Sequence, residues 1–292
     1  MAHVFDDKTV ARLKTLRVRL SGLVSGERSE GMRSRRGGGR FEFRDHRPYT
    51  AGDDFRGVDW NLYGRLDELF IKRFEGETRL DIHVVVDVSA SMGVDGGKKD
   101  RLARRLAAAA AFTLPGEGRS LDVQVMSGEL RSLVTLTRAG PAAARCLPVL
   151  EGLPRPEGRL VPDALRPLLA RGPRARFILM ISDFFDDPSP LPVWAGQCAA
   201  GNVLVLLGLT THEEREPALG TRVRLKDPET GETLDLAIDG ETRERYQEVL
   251  AGQRGELELQ AARHGATFVD AAAEEAFEEV FVRALRRVGL AR

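Results

Sequence analysis

Apolar positions along the chain fall into two spacings, and the spacing changes segment by segment. Val4, Val10, Leu13, Leu16, Leu20 and Leu23 recur at mostly helical intervals and predict an amphipathic N-terminal helix. Residues 31–40 carry no such pattern. Their consecutive Gly37, Gly38 and Gly39 follow no strand and lead into no Gly-Lys-Ser/Thr, so they read as a connector and not a phosphate cradle. The run Leu80-Asp81-Ile82-His83-Val84-Val85-Val86-Asp87 is nearly continuous in apolar, β-branched residues, which predicts a central strand buried on both faces. Residues 101–114 are Ala-rich, with Leu102, Leu106, Ala110 and Leu114 at helical spacing, and Pro115-Gly116 stops the helix.

The same reading places short strands at 121–126 and 130–136 around a Ser127-Gly128 turn, and helices at 141–150 and 161–170. Residues 176–182 form a second buried strand ending at Asp183, a helix over 191–200 follows, and 202–207 is a third buried strand. Strands alternating with helices imply an α/β fold, a mostly parallel sheet with helices on both faces. Residues 222–238 depart from that rhythm. Two alternating segments flank a turn at 227–231, which predicts a β-hairpin inserted before a long helix over 241–264. A short edge strand at 267–269 and a closing helix at 274–288 complete the chain. The expected division is an N-terminal extension over 1–79 and a Rossmann-like domain over 80–292.

Composition narrows the function classes. Lys plus Arg and Asp plus Glu both number 44, so no global field favours nucleic acid or an anionic membrane. Residues 12–47 are locally basic, with eleven Lys/Arg against Glu27, Glu30, Glu42 and Asp45. No aromatic ladder accompanies that charge, so a solvated or docking face is the expectation and nucleic-acid binding the lesser alternative. Cys146 and Cys198 make no CxxC and no disulfide framework, which fits a reducing cytoplasm. No apolar run approaches the ~20 residues of a spanning helix, and the charged N-terminus lacks the apolar core of a signal peptide.

The candidate chemistry sits where the apolar strands end. Asp87 and Asp183 follow the two most apolar strands, so both carboxylates can face one crevice at the carboxyl edge of the sheet. Asp87-Val88-Ser89-Ala90-Ser91 spaces three oxygen donors at alternate positions, and alternate side chains of an extended loop point the same way. One or two carboxylates with the Ser89 and Ser91 hydroxyls suit Mg²⁺ or Mn²⁺, which take hard oxygen ligands. The alternative is an Asp/Ser turn that merely caps a strand or helix end. The five histidines have no ligand spacing, and no Ser-His-Asp or Cys-His arrangement is present.

Asp87-Val88-Ser89-Ala90-Ser91-Met92 resembles the metal ion-dependent adhesion site of von Willebrand factor A domains. The resemblance implies that Asp87, Ser89, Ser91 and Asp183 surround a divalent ion whose shell a partner's carboxylate can complete. The family's Thr is not matched. Arg159 stands at that position, where a cation repels the ion and can instead pair with Asp87 or Asp183. Upstream, Arg47-Pro48-Tyr49-Thr50-Ala51-Gly52-Asp53-Asp54-Phe55-Arg56-Gly57-Val58-Asp59-Trp60 resembles the signature of the bacterial proteins called domain of unknown function 58. The resemblance implies association with a MoxR-type AAA+ ATPase in protein assembly or cofactor insertion, so a non-enzymatic interaction module is the expectation; the cytoplasmic location is expected from the cysteines and the apolar pattern. The charges of Asp53, Asp54, Arg56 and Asp59 are expected to form a salt-bridge network, with Trp60, Tyr49, Phe41 and Phe55 as buried surface. The alternative reading is a metal-dependent hydrolase using Asp53, Asp54 and Asp87.

Overall fold

In the computed structural model the described residues are 3–16, 41–50, 58–76, 80–116, 119–138, 140–158, 168, 176–185, 202–218, 220–228 and 230–291. They divide into two compact units, Met1–Gly26 with Leu80–Arg292, and Glu27–Arg79. Helix α1 (Asp7–Thr15) starts at Asp6, whose carboxylate accepts the Thr9 N–H at 2.8 Å and so satisfies one of the orphan donors of a helix start. It buries Leu13 and ends one residue before Leu16. The expected positions Leu20 and Leu23 lie outside the described residues.

In the smaller unit, β1 (Phe41–Pro48) pairs antiparallel with β2 (Phe70–Gly76), and the short helix α2 (Trp60–Leu66) lies between them in sequence. In the larger unit, α1 is followed by β3 (Leu80–Asp87) and by 3-10 turns at Ala90–Gly93 and Asp95–Gly97. Then come α3 (Lys98–Thr113), β4 (Arg119–Met126), β5 (Leu130–Leu136), α4 (Cys146–Glu151), β6 (Arg176–Ser182) and β7 (Val203–Thr210). A single-turn helix α5 (His212–Arg215) leads to the hairpin β8 (Gly220–Lys226) and β9 (Thr233–Ile238). The long helix α6 (Gly240–Arg263), the edge strand β10 (Thr267–Ala272) and α7 (Phe277–Arg287) follow.

Six strands form one sheet in the order β10-β7-β6-β3-β4-β5, parallel throughout except for β5 at the far edge. The nearly continuous apolar run of β3 has a direct cause. Val84 and Val86 face the cluster that holds α3 and α7, whereas Val85 faces the cluster under α6, with Met180, Leu206 and Leu257. All three valines are fully buried, and each contributes about 1.5–3 kcal/mol. Ala107 to Ala111 of α3 are fully buried as well, and their small side chains let that helix lie close against the sheet and α7. Among the described residues, no helix is long and apolar enough to cross a membrane.

Some expected elements differ from the structure. The expected helix over 141–150 is a 3-10 turn, Gly140–Arg145, running into the six-residue α4. The break falls where Pro148 lacks the N–H that a continuous α-helix would direct to the carbonyl of residue 144. Helix α3 begins three residues ahead of the expected start, and that brings in Lys99. The expected helices over 161–170 and 191–200 lie outside the described residues, apart from Leu168.

Candidate functional site

β3 and β6 are neighbours, and the chain runs from β3 to one side of the sheet and from β6 to the other. Ligands of open parallel sheets bind at such a switch point, outside the carboxyl ends of the strands. Asp87 is the last residue of β3, and Asp183 directly follows the last residue of β6. Both are buried, with 0% and 3% of their surface exposed.

The Asp87 carboxylate is held at both oxygens. Oδ1 accepts the Ser89 N–H at 2.8 Å, closing an Asx turn, and Oδ2 accepts the Ser182 hydroxyl at 2.6 Å. Burial, followed by the negative charge of Asp183, pushes the Asp87 carboxyl up to about 7, against the opposing pull of the Ser182 and Ser89 hydrogen bonds. The chain continues extended only through Ser89 (φ −64°, ψ 162°) and then tightens into the 3-10 turn Ala90–Gly93. That corrects the expectation of an extended loop, yet the hydroxyls still converge. Ser89 Oγ and Ser91 Oγ are 3.0 Å apart, and fully buried Met92 anchors the turn.

A second loop rests on the first through backbone bonds. Ala90 N–H donates to the Gly158 carbonyl, and Glu157 N–H donates to the Val88 carbonyl, both at 2.9 Å. Arg104 of α3 fixes that loop from beneath. Its guanidinium, 4% exposed, donates to Asp100 at 2.8 Å and to the carbonyls of Leu150, Leu153 and Pro154 at 2.8, 3.1 and 2.9 Å. Arg159, expected at the missing Thr position, lies outside the described residues.

The described partner of Asp183 is Lys99. The Lys99 ammonium, with no exposed surface, donates to Asp183 Oδ2 at 2.8 Å and to Glu214 Oε1 at 2.5 Å, and lies 5.1 Å from the centre of the Phe185 ring. Glu214 is itself fixed by a capping box. Its Oε2 accepts the Thr211 N–H at 2.7 Å, the Thr211 hydroxyl accepts the Glu214 N–H, and the same hydroxyl donates to Asp95. Phe184, immediately after Asp183, has φ 51°, a left-handed conformation that costs a non-glycine residue about 1–3 kcal/mol. Its ring is 5% exposed and meets Phe268 edge-on at 6.2 Å, which holds the turn in place.

Lys99, Glu214 and Ser182 were not among the candidates read from sequence. Two signals existed: Lys99 shares the apolar face of α3 with Leu102 and Leu106, and Thr211-x-x-Glu214 has the form of a capping box. Among the described residues, no group of three or more His, Cys, Asp or Glu is arranged around a common point. The loop itself offers the Asp87 carboxylate and two hydroxyls, and the Asp183 carboxylate follows the neighbouring strand. A cavity of about 700 Å³ between α6, β10 and α7 is lined by Arg215, Arg254 and Asp270, and by none of these four residues.

The upstream signature is described in part. Gly52, Asp53, Asp54 and Arg56 lie outside the described residues, with Phe55. Arg47 is paired in β1 with Ile71, and Tyr49, half-buried, donates its N–H to the Leu69 carbonyl at 2.8 Å. Asp59 caps α2 by accepting the Asn61 and Leu62 N–H groups, and its second oxygen lies 2.8 Å from His46 Nε2. Trp60 contradicts the expectation of a buried ring. It is 60% exposed and touches Tyr63 edge-on at 6.2 Å, because the seven-residue α2 buries none of its residues.

The strand order, with its single antiparallel edge strand and a carboxylate loop at the switch point, defines an α/β protein built on a mostly parallel sheet. The chain belongs to the family described as "Protein of unknown function DUF58", which matches residues 45–256. It is 27% identical over 280 residues to the uncharacterized protein Rv1480 of Mycobacterium tuberculosis, covering 86% of this chain and 81% of that one. Among solved structures it is similar to an aerotolerance-related membrane protein from Bacteroides fragilis (12% identity, TM-score 0.43, 72% of this chain and 98% of that one). It is also similar to a von Willebrand factor type A protein from Catenulispora acidiphila (14% identity, TM-score 0.36, 62% and 44%).

Proposed function

We propose that this protein is a non-enzymatic interaction module that docks an acidic side chain of a partner protein at the carboxyl edge of β3 and β6. The observation that carries this reading is the bonded loop of Asp87, Ser89 and Ser91 at the switch point of the sheet, with Asp183 at the end of neighbouring β6 close enough for its charge to raise the Asp87 carboxyl. The donor set fits a divalent ion. Two carboxylates and two hydroxyls are hard oxygen donors of the kind Mg²⁺ and Mn²⁺ take, and the Asp87 carboxyl is pushed up to about 7 by burial and by Asp183, a strain that a nearby cation relieves. When bound, such an ion supplies an open coordination position for a carboxylate. Asp87 and the two serines hold the loop in shape, and the paired 157–158 segment fixes its outer side.

Family membership supports a MoxR-type AAA+ ATPase as the partner, in cytoplasmic assembly of proteins or insertion of cofactors. A binding role accounts for a site whose acidic groups are tied to internal donors and not poised toward a substrate. Purification of the tagged chain from its native extract, with Mg²⁺ and with chelator, tests the reading. An AAA+ ATPase retained by wild type and lost from Asp87→Ala supports it; equal retention by both refutes it.

A further inference from the structure

We infer that Lys99 is a resident cation of this site, which competes with a divalent ion for Asp183 and sets how tightly the loop holds metal. The inference rests on the reading of Asp87, Ser89, Ser91 and Asp183 as an ion site, and adds to it a residue that determines affinity.

Lys99 stands in an unfavourable place. It is the second residue of α3, and a cation in the first turn of a helix opposes the helix dipole. It is also fully buried, which a lysine tolerates only when paired. A buried ion pair is often no more stabilising than apolar packing of the same volume. Fold stability alone therefore gives little reason for a lysine here.

Its contacts supply a reason. An ammonium has three donors, and Lys99 faces Asp183, Glu214 and the Phe185 ring. A full positive charge 2.8 Å from Asp183 Oδ2 cancels much of the attraction that carboxylate offers to another cation. The ammonium is not easily pushed aside. Glu214 holds it from the β7 side, and the capping box with Thr211, itself bonded to Asp95, holds Glu214. A divalent ion at Asp87, Ser89 and Ser91 thus meets an Asp183 already engaged.

The decisive variant removes the ammonium without changing the formal charge of the site. Lys99→Met/Glu214→Gln deletes one positive and one negative charge and leaves Asp183 without its cation. Mn²⁺ binding to the chelator-treated full chain is measured by calorimetry and by the loss of the free-ion paramagnetic resonance signal. We expect the double variant to bind Mn²⁺ at least about tenfold more tightly than wild type, and bound Mn²⁺ to raise its melting temperature more. Adding Asp183→Asn should abolish the gain. If the double variant does not fold, Lys99→Met alone is measured in its place. Binding that depends on Asp87 but is equal or weaker without Lys99 overturns the inference and leaves the ion site standing. Binding by neither protein, or binding indifferent to Asp87→Ala, overturns the ion site and the role of Lys99 together.

Discussion

Asp87 and Ser182 end adjacent parallel strands, and the 2.6 Å hydrogen bond between them joins two residues with no exposed surface. Two strands separated by 95 positions in sequence are thus pinned at the point where the chain leaves the sheet in opposite directions. The bond also fixes the orientation of the carboxylate on which the proposed docking site depends.

A pH dependence follows from Asp87. Its carboxyl is raised from 3.8 in an ordinary setting to about 7 in the fold, so the folded state binds the proton more tightly than the unfolded chain. The contribution to stability is therefore present below about pH 4 and is lost as pH rises through about 7, a change on the order of 4 kcal/mol. Urea unfolding in chelator at pH 5 and pH 8 measures it as a difference between wild type and Asp87→Asn. Wild type should lose stability relative to the variant on going to pH 8. A difference that does not change with pH would count against the buried, proton-binding carboxyl.

Arg104 is expected to be the costliest single side chain near the site. Arg104→Met leaves the buried Asp100 carboxylate and the carbonyls of Leu150, Leu153 and Pro154 without their donor. Breaking a buried pair in this way costs about 3–5 kcal/mol. Chemical denaturation should show a loss of that size. A loss below about 1 kcal/mol, in the range of an exposed pair, would contradict the staple that holds the 157–158 segment on the loop.

Cys146 should be inert in the folded protein. The thiol has no exposed surface, and burial pushes it up to about 12, so the reactive thiolate is scarce at neutral pH. Site-resolved mass spectrometry after brief iodoacetamide treatment should find Cys146 unmodified without denaturant and modified in it. Rapid modification of the native protein would show that the α3–α4 packing opens readily.

Much of the architecture was legible in the sequence because burial on both faces writes itself into β3, β6 and β7 as continuous or nearly continuous apolar runs. The turn at Asp227 was legible too, since Gly231, at φ 75°, takes a conformation that suits glycine. The rest was hidden for physical reasons. Lys98, Lys99 and Asp100 look like a solvated helix start, and the partners that make Lys99 a core residue lie 84 and 115 positions away. Ser182 reads as the polar end of a strand until its bond to Asp87 is seen. Trp60 reads as core by its type, whereas its exposure follows from a helix too short to cover it. The carboxylate-and-serine loop could be read because its donors are adjacent in sequence; the cation beside it left only its place on the apolar face of α3 as a signal.

The central claim is that the Asp87 loop docks an acidic group of an AAA+ partner. Calorimetric titration of the purified full chain with the purified MoxR-type ATPase of the same organism, in Mg²⁺, tests it most directly. The account predicts saturable binding that falls at least about tenfold, or ~1.4 kcal/mol, in both Asp87→Ala and Ser89→Ala, each shown to be folded by circular dichroism. Binding of unchanged affinity in both folded variants, or no binding by wild type, would contradict it.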